Sequence, residues 1–270
     1  MNWSDIEKSF SRAVIFSFSR KKMMLTFPVL VLCGILTVFC KAVSYEASDW
    51  VAMSLAFLPI LLSSGILLAL GVLLVRIHIH EIKSLSLSLR RLIAGSVDLI
   101  MGTSYLSIPP ILAYLFLWIF LGFFFLLKEI PGIGDFFSVV LASGPFLLIF
   151  SSLLLCLFNL GLLFFVAPAA AFQPMKRHSL AKRILALFQG RLLSSIALFL
   201  LALVPIALVS GLLSLSALLT NFSLAPEKSL SVAIEWFFIM LPFCAVLTPA
   251  VIFFFNFAAE SYQLLQPKNV

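Results

Sequence analysis

The chain is predicted to be an all-α membrane protein with six transmembrane helices, arranged as three tandem units of a cytoplasmic amphipathic helix followed by two spans. Of its 270 residues, 63% are hydrophobic and only 11% are charged, whereas a soluble domain averages about 45–50% apolar and about 25% charged residues. Long uncharged runs recur along the chain, without the strict alternation of a membrane β-barrel. Basic residues are concentrated in every second connecting segment, which is typical of a multi-pass protein.

Six apolar runs are each near or above the roughly 20 residues that a spanning helix needs. They cover residues 23–40, 51–75, 105–127, 136–166, 192–219 and 232–257. The longer runs can tilt, or begin in the membrane interface. The first run also resembles the apolar part of a signal peptide, but its polar leader of 22 residues is long for such a peptide. We therefore expect residues 23–40 to be retained as the first span.

The distribution of Lys and Arg predicts the orientation. Fifteen of the 18 fall in the N-terminus, residues 76–104, residues 167–191 and the C-terminus. The other three are Lys41, Lys128 and Lys228. Because basic residues accumulate on the cytoplasmic side, both termini are predicted to be cytoplasmic, in a bacterial inner membrane.

A basic amphipathic pattern precedes each pair of spans. In SLRRLIAGSVDLIMG, residues 88–102, the apolar residues form one stripe of a helix, and SLAKRILALFQGRLL, residues 179–193, repeats the pattern. The N-terminal stripe is Ile6, Phe10, Ala13 and Val14. Such helices are expected in the inner interface, with the apolar side in lipid and basic side chains on anionic headgroups. The predicted headgroup contacts are Arg12, Arg90, Arg91, Lys182 and Arg183. The alternative is a basic loop that only fixes the topology.

These repeats divide the chain into units of about 1–75, 76–166 and 167–259. With SLRRLIAG, SLAKRILALF and the outer-loop sequence IPGIG at 130–134, the chain resembles a loose group of uncharacterised bacterial six-span membrane proteins. The group includes the membrane domain attached to some glycerophosphodiester phosphodiesterases. The catalytic domain of those proteins is not present, and the group supplies no site motif, so the resemblance implies an architecture and no site residues.

The search for catalytic and cofactor motifs is negative. The sequence contains no phosphate-binding glycine loop, dinucleotide fingerprint, zinc-protease motif or nucleophile elbow. We therefore predict no catalytic residue, no cofactor and no metal site. The net charge of +7 is explained by anionic lipid at the cytoplasmic face, so no nucleic-acid partner is expected. Membrane lipids are the predicted partners, together with a possible membrane-protein partner.

The sequence RIHIHEIK, residues 76–83, offers a candidate metal site. His78, His80 and Glu81 would need His178 from the next inner segment to complete a site. His78 and Glu81 share a helix face, whereas His78 and His80 do not. A helical extension of the second span into the interface is the favoured interpretation.

Two amides, Asn159 and Asn256, lie in the cytoplasmic halves of the fourth and sixth predicted spans. A polar residue in lipid usually faces the bundle interior, where it hydrogen-bonds across helices or marks a substrate pathway. Without a neighbouring acid or base, the structural role is favoured for both amides. They are the predicted intramembrane polar positions.

Three functions fit this pattern. The sparse polar content favours a non-enzymatic protein that acts in membrane or envelope organisation, or in partner assembly. A permease or transport subunit for a small or lipid-like substrate is the alternative. An intramembrane enzyme acting on lipid is the third hypothesis, and a His–carboxylate pair or two carboxylates converging at one depth would favour it.

Overall fold

The computed structural model describes residues 3–45, 47, 49–83, 95–96, 102–103, 105–128, 130, 143–172, 177–219 and 230–265. Over these ranges all the regular secondary structure is helical, with seven α-helices. They are α1 (Trp3–Ile15), α2 (Arg20–Ser44), α3 (Asp49–Ile82), α4 (Ile108–Lys128), α5 (Gly144–Phe172), α6 (Arg177–Leu219) and α7 (Leu230–Leu265). Two 3-10 turns, Phe16–Phe18 and Tyr105–Ser107, precede α2 and α4.

Five of these helices, α2, α3, α5, α6 and α7, are long and apolar enough to cross a membrane. A helix satisfies its own backbone hydrogen bonds, which is why it is a stable form for an apolar segment in lipid. For the described residues, the helical character predicted from the sequence is therefore confirmed, and the five long apolar helices are compatible with a multi-pass membrane protein. The third predicted span corresponds to α4, which has 21 residues. The count of six spans and the orientation of the termini stay predictions.

Helices α3 and α7 run past their apolar segments. The second span was expected at 51–75, but α3 continues to Ile82, and the sixth was expected at 232–257, but α7 continues to Leu265. The extensions are helical because their polar side chains find partners in the bundle, as described below. For residues 76–83, the favoured interpretation as a helical extension agrees with α3.

The predicted amphipathic segments are described to different extents. Residues 179–193 belong to α6, one continuous helix that also contains the fifth predicted span. In the segment 88–102, only Gly95, Ser96 and Gly102 lie within the described residues. Arg76 on α3 donates to the Gly95 carbonyl at 3.0 Å and to Ser96 Oγ at 2.7 Å. The C-terminal part of α3 is thereby attached to this segment.

Helix α1 packs against protein through part of its apolar stripe. The Phe10 ring lies 5.0 Å from that of Phe253 and 5.8 Å from that of Phe257, in edge-to-face geometry. Ala13 is fully buried, while Val14 remains 38% exposed. The stripe, expected to face lipid, is therefore largely covered by α7, because two aromatic side chains of α7 offer it a matching apolar surface.

The main core joins α2, α3, α5, α6 and α7, and also includes Ala13 of α1. Close approach of α3 and α7 depends on Gly71, since a Cβ atom added there would lie 2.2 Å from Phe255 Cε1. Small residues allow membrane helices to approach in this way. A second, smaller core formed by Leu61, Tyr114, Trp118 and Leu148 packs α4 against α3 and α5.

Candidate functional site

The charged side chain of Lys22 is buried near the start of α2, between α3 and α7. Its Nζ atom lies 2.7 Å from Glu81 Oε2, donates to Asn256 Oδ1 at 2.9 Å and lies 3.3 Å from His78 Nδ1. Lys22 has no exposed surface. An ammonium has three N–H donors, of which one is taken by Asn256 Oδ1 and a second can be taken by His78 Nδ1. The Glu81 carboxylate supplies the opposite charge at ion-pair distance, as a buried charge requires.

A second chain of contacts leads from His78 to the N-terminal helix. His78 Nε2 lies 3.2 Å from Glu260 Oε1, and the other oxygen of Glu260 lies 3.5 Å from Arg12 Nη1. His78 has no exposed surface and Glu260 is 3% exposed, whereas the Arg12 side chain is 45% exposed. The contacts therefore run from a closed interior to the rim of the bundle.

We refer to these residues together as the Lys22 cluster. Its members are Arg12, Lys22, His78, Glu81, Asn256 and Glu260. With a neutral imidazole, the two cations balance the two carboxylates. Moving an unpaired ion out of water costs about several kcal/mol, even after the protein relaxes around it. The pairing of two positive with two negative charges therefore makes burial of the cluster feasible.

The bonding partners of His78 assign its protonation. The Lys22 ammonium only donates, so Nδ1 must accept. The Glu260 carboxylate accepts, so Nε2 must donate. This assignment follows from the network, because hydrogen positions are inferred from their partners. With Lys22 protonated and Glu260 ionised, this arrangement is that of a neutral His78 with its proton on Nε2.

The turn between α1 and α2 places Phe16 and Ser19 beside the cluster. Ser19 has an extended conformation, with φ −64° and ψ 121°, which separates the 3-10 turn from α2. Its hydroxyl donates to Glu81 Oε1 at 2.9 Å. The Phe16 ring lies over the cluster, 5.5 Å from the His78 ring and 5.6 Å from Lys22 Nζ. An aromatic face near an ammonium adds a favourable cation–π contact.

Asn256 connects α7 to the end of α1. Its Nδ2 atom donates to the Ala13 carbonyl at 3.4 Å, while its oxygen accepts from Lys22. The residue is fully buried. The amide thus contacts Lys22, which in turn pairs with Glu81. The expectation from the sequence that no acid or base lies near Asn256 is therefore wrong. The other predicted amide, Asn159 on α5, is also buried, at 4% exposed.

The five basic residues predicted to contact lipid headgroups are described by the structure to different extents. Arg12 forms an ion pair with Glu260, and its exposed part still permits a headgroup contact. Lys182 and Arg183 belong to α6, but their side chains lie outside the described residues, as does the side chain of His178. Arg90 and Arg91 lie outside the described residues altogether. Contacts with lipid headgroups stay predictions for all five basic residues.

Sequence reasoning missed Lys22 and Glu260 as members of the cluster. Lys22 was counted only as one of the basic residues of the leader, and Glu260 was not singled out. His78 and Glu81 were assigned to an interfacial extension, although both join the cluster. One signal was present, because Asn256 and Glu260 are four residues apart and share a helix face, as do His78 and Glu81 at three residues. Two polar faces on neighbouring helical extensions indicate a shared polar interior.

The pair His78–Glu260 is the feature that the sequence analysis associated with a lipid-acting enzyme. Both ring nitrogens of His78 are engaged, by Lys22 and by Glu260, and the ring is fully buried. A general acid or base must come within hydrogen-bond reach of its substrate. In this conformation the imidazole has no nitrogen free to do so.

Comparison of the chain with protein-family models, with curated proteins and with solved structures finds no match. The resemblance based on the basic stretches and IPGIG therefore stays a prediction from the sequence. What the described residues establish is a multi-pass helical protein whose bundle encloses a charge-balanced polar cluster.

Proposed function

We propose that this chain is a non-enzymatic transport protein, a permease or transport subunit for a small or lipid-like substrate. Its location in this proposal is a bacterial inner membrane, with both termini cytoplasmic. The observation that carries it is the burial of Lys22 among His78, Glu81 and Asn256 on three helices. Ionisable residues inside a membrane bundle are costly and commonly belong to substrate or ion pathways.

The position of the cluster supports a gated pathway. It lies where α2 begins and where α3 and α7 end. Arg12 and Ala13 of α1 and Phe16 of the following 3-10 turn cover it. The arrangement corresponds to a state that is closed at this end. Because the cluster holds these segments by polar bonds rather than by apolar packing alone, breaking a few bonds would release α1.

Membrane organisation or partner assembly is the second candidate function. A specific observation favours it: phenylalanines stack at i, i+4 on the outer faces of α4 and α5. Ring centroids are 6.3 Å apart for Phe116–Phe120 and 6.2 Å apart for Phe146–Phe150, and these side chains are 51–70% exposed. Lipid or the helix of a membrane-protein partner would cover such faces.

Cysteine accessibility tests the transport proposal. The four native cysteines are first replaced, and single cysteines are then placed at Thr26 and Leu74, each one helical turn deeper than Lys22 or His78 and each fully buried. Leu61, also fully buried but in the second core, is the matched control. A membrane-impermeant thiol reagent is applied to vesicles of both orientations.

A transport protein opens its pathway to water in part of its cycle. We expect the reagent to label the cysteines at positions 26 and 74, but not the cysteine at 61. Absence of labelling at 26 and 74 in a folded protein would overturn the pathway through the cluster and favour the assembly role. Uniform labelling at all three positions would indicate a loosened bundle and would also contradict the proposal.

A further inference from the structure

We infer that Lys22, His78 and Glu260 form a proton relay, so that the coupling ion of the proposed transport is a proton. This inference rests on the proposed function and adds the identity of the ion. The three residues belong to α2, α3 and α7. Lys22 Nζ lies 3.3 Å from His78 Nδ1, and His78 Nε2 lies 3.2 Å from Glu260 Oε1. All three are buried, with at most 3% exposure.

The imidazole is arranged to pass a proton without moving its heavy atoms. Lys22 Nζ faces Nδ1, and Nε2 faces Glu260. In one transfer, a proton leaves the ammonium for Nδ1 while the Nε2 proton passes to the Glu260 carboxylate. The products are a neutral amine, the other neutral tautomer of the imidazole and a carboxylic acid. One proton is lost at Lys22 and one is gained at Glu260, so the total charge of the cluster is unchanged.

Each end of the relay has a defined charged neighbour. Glu81 on α3 lies 2.7 Å from Lys22 Nζ, and Arg12 on α1 lies 3.5 Å from Glu260. The Asn256 amide on α7 accepts from Lys22, and the Phe16 ring adjoins both Lys22 and His78. Each end of the relay therefore adjoins a side chain that reaches the surface, since the Glu81 side chain is 22% exposed and that of Arg12 is 45% exposed.

The chemistry of the cluster favours a proton over a metal cation. Oxygens of Glu81 and Asn256 are the ligands that a sodium ion would use, but both already bind the Lys22 ammonium. Among the described residues, no group of three or more His, Cys, Asp and Glu side chains is placed to hold a metal ion. Chains of acidic residues and histidine are the usual proton relays of pumps and transporters.

The experiment measures proton entry into liposomes that contain the full chain and a trapped pH-sensitive dye. A pH gradient is imposed, and the membrane potential is clamped with potassium and valinomycin. His78→Gln is the test variant, because a glutamine oxygen can accept from Lys22 and its amide can donate to Glu260, yet an amide does not relay a proton. His80→Gln is the matched control, since His80 Nδ1 bonds to the Arg76 carbonyl, outside the cluster.

We expect the unmodified chain to conduct protons faster than protein-free liposomes. His78→Gln should slow this flux by about 100-fold, the lower limit of what a positioned proton-transfer group contributes, and should unfold at the same temperature. His80→Gln should conduct like the unmodified chain. Equal flux in the two variants would overturn the relay, as would a flux no greater than that of protein-free liposomes.

The proton-flux measurement can fail independently of the cysteine-labelling test of the transport pathway. Labelling of cysteines at positions 26 and 74 without proton flux would retain the pathway and reject the proton as the coupling ion. Proton flux that depends on His78 without any labelling would retain the relay and reject the wider pathway.

Discussion

Lys22 Nζ lies 2.7 Å from Glu81 Oε2, and this ion pair joins the start of α2 to the last turn of α3. The Lys22 side chain is fully buried, whereas that of Glu81 is 22% exposed. The pair is therefore reached by water from one side only. Removing one partner of a buried pair leaves the other charge uncompensated, which is a larger penalty than the pair's own net stabilisation.

Lys22→Met should lower the free energy of unfolding by about 3 kcal/mol, the lower end of the range for breaking a buried ion pair. The lower end applies because water can reach Glu81. Lys21→Met, at the exposed neighbouring position, should change stability by less than about 0.5 kcal/mol. Denaturation in mixed micelles gives both values.

The double variant Lys22→Met/Glu81→Leu should recover part of that loss, because neither charge is then left unpaired. An additive cost for the two substitutions would mean that the residues do not interact in the folded protein.

Phe10→Ala should release α1 from α7. Truncation of a fully buried Phe costs about 3–5 kcal/mol, and Phe10 is half-buried between Phe253 and Phe257, so a cost of about 2 kcal/mol is expected. Trp3→Ala is the control on the same helix, since Trp3 is 78% exposed. Faster proteolytic cleavage of residues 3–18 in the first variant alone would support the docking. Equal cleavage in both variants would show that α1 is not held by this contact.

Gly71→Ala should destabilise the bundle by about 1–3 kcal/mol, the usual cost of overpacking. The added methyl would lie 2.2 Å from Phe255 Cε1, and Phe255 is 1% exposed, so its ring has little room to move. Gly161→Ala on α5 meets nothing within 4 Å and should gain up to about 1 kcal/mol from helix propensity. Thermal unfolding in detergent compares the two. A Gly71→Ala protein as stable as Gly161→Ala would contradict the close approach of α3 and α7.

Asn159→Leu and Asn256→Leu should have additive effects on stability, within about 0.5 kcal/mol. Asn256 bonds to Lys22 and to the Ala13 carbonyl, and among the described residues the two amides share no hydrogen-bond partner. Asn256→Leu alone should cost about 1–3 kcal/mol, because it leaves a donor of Lys22 unpaired. Denaturation of both single variants and the double variant measures the coupling. A double variant that costs at least about 1 kcal/mol less than the sum would show that the amides act as one unit.

The predicted orientation is open to direct measurement. Reporter fusions after residues 45, 132 and 226 should report an outside location, and fusions after residues 84 and 178 an inside location, because basic residues are concentrated on one side of the membrane. An inside reporter at 132 would overturn the six-span topology.

The sequence by itself determined the helical, membrane-embedded character of this protein. Long apolar runs must close their own backbone hydrogen bonds in lipid, and only the helix does so within one segment. The helical period also placed Asn256 with Glu260, and His78 with Glu81, on shared faces. These are local consequences of composition and spacing, so they can be read from the chain directly.

Only the tertiary structure decided which of these faces meet. Lys22 and Asn256 are distant along the chain, and their 2.9 Å contact exists because α2, α3 and α7 are neighbours in the bundle. In lipid, the choice of neighbours depends on close packing at sites such as Gly71 and on the pairing of buried polar groups. Neither has a periodic signature in the sequence. The packing of the helices therefore turned a leader lysine, an interfacial histidine and an unnoticed glutamate into one enclosed site.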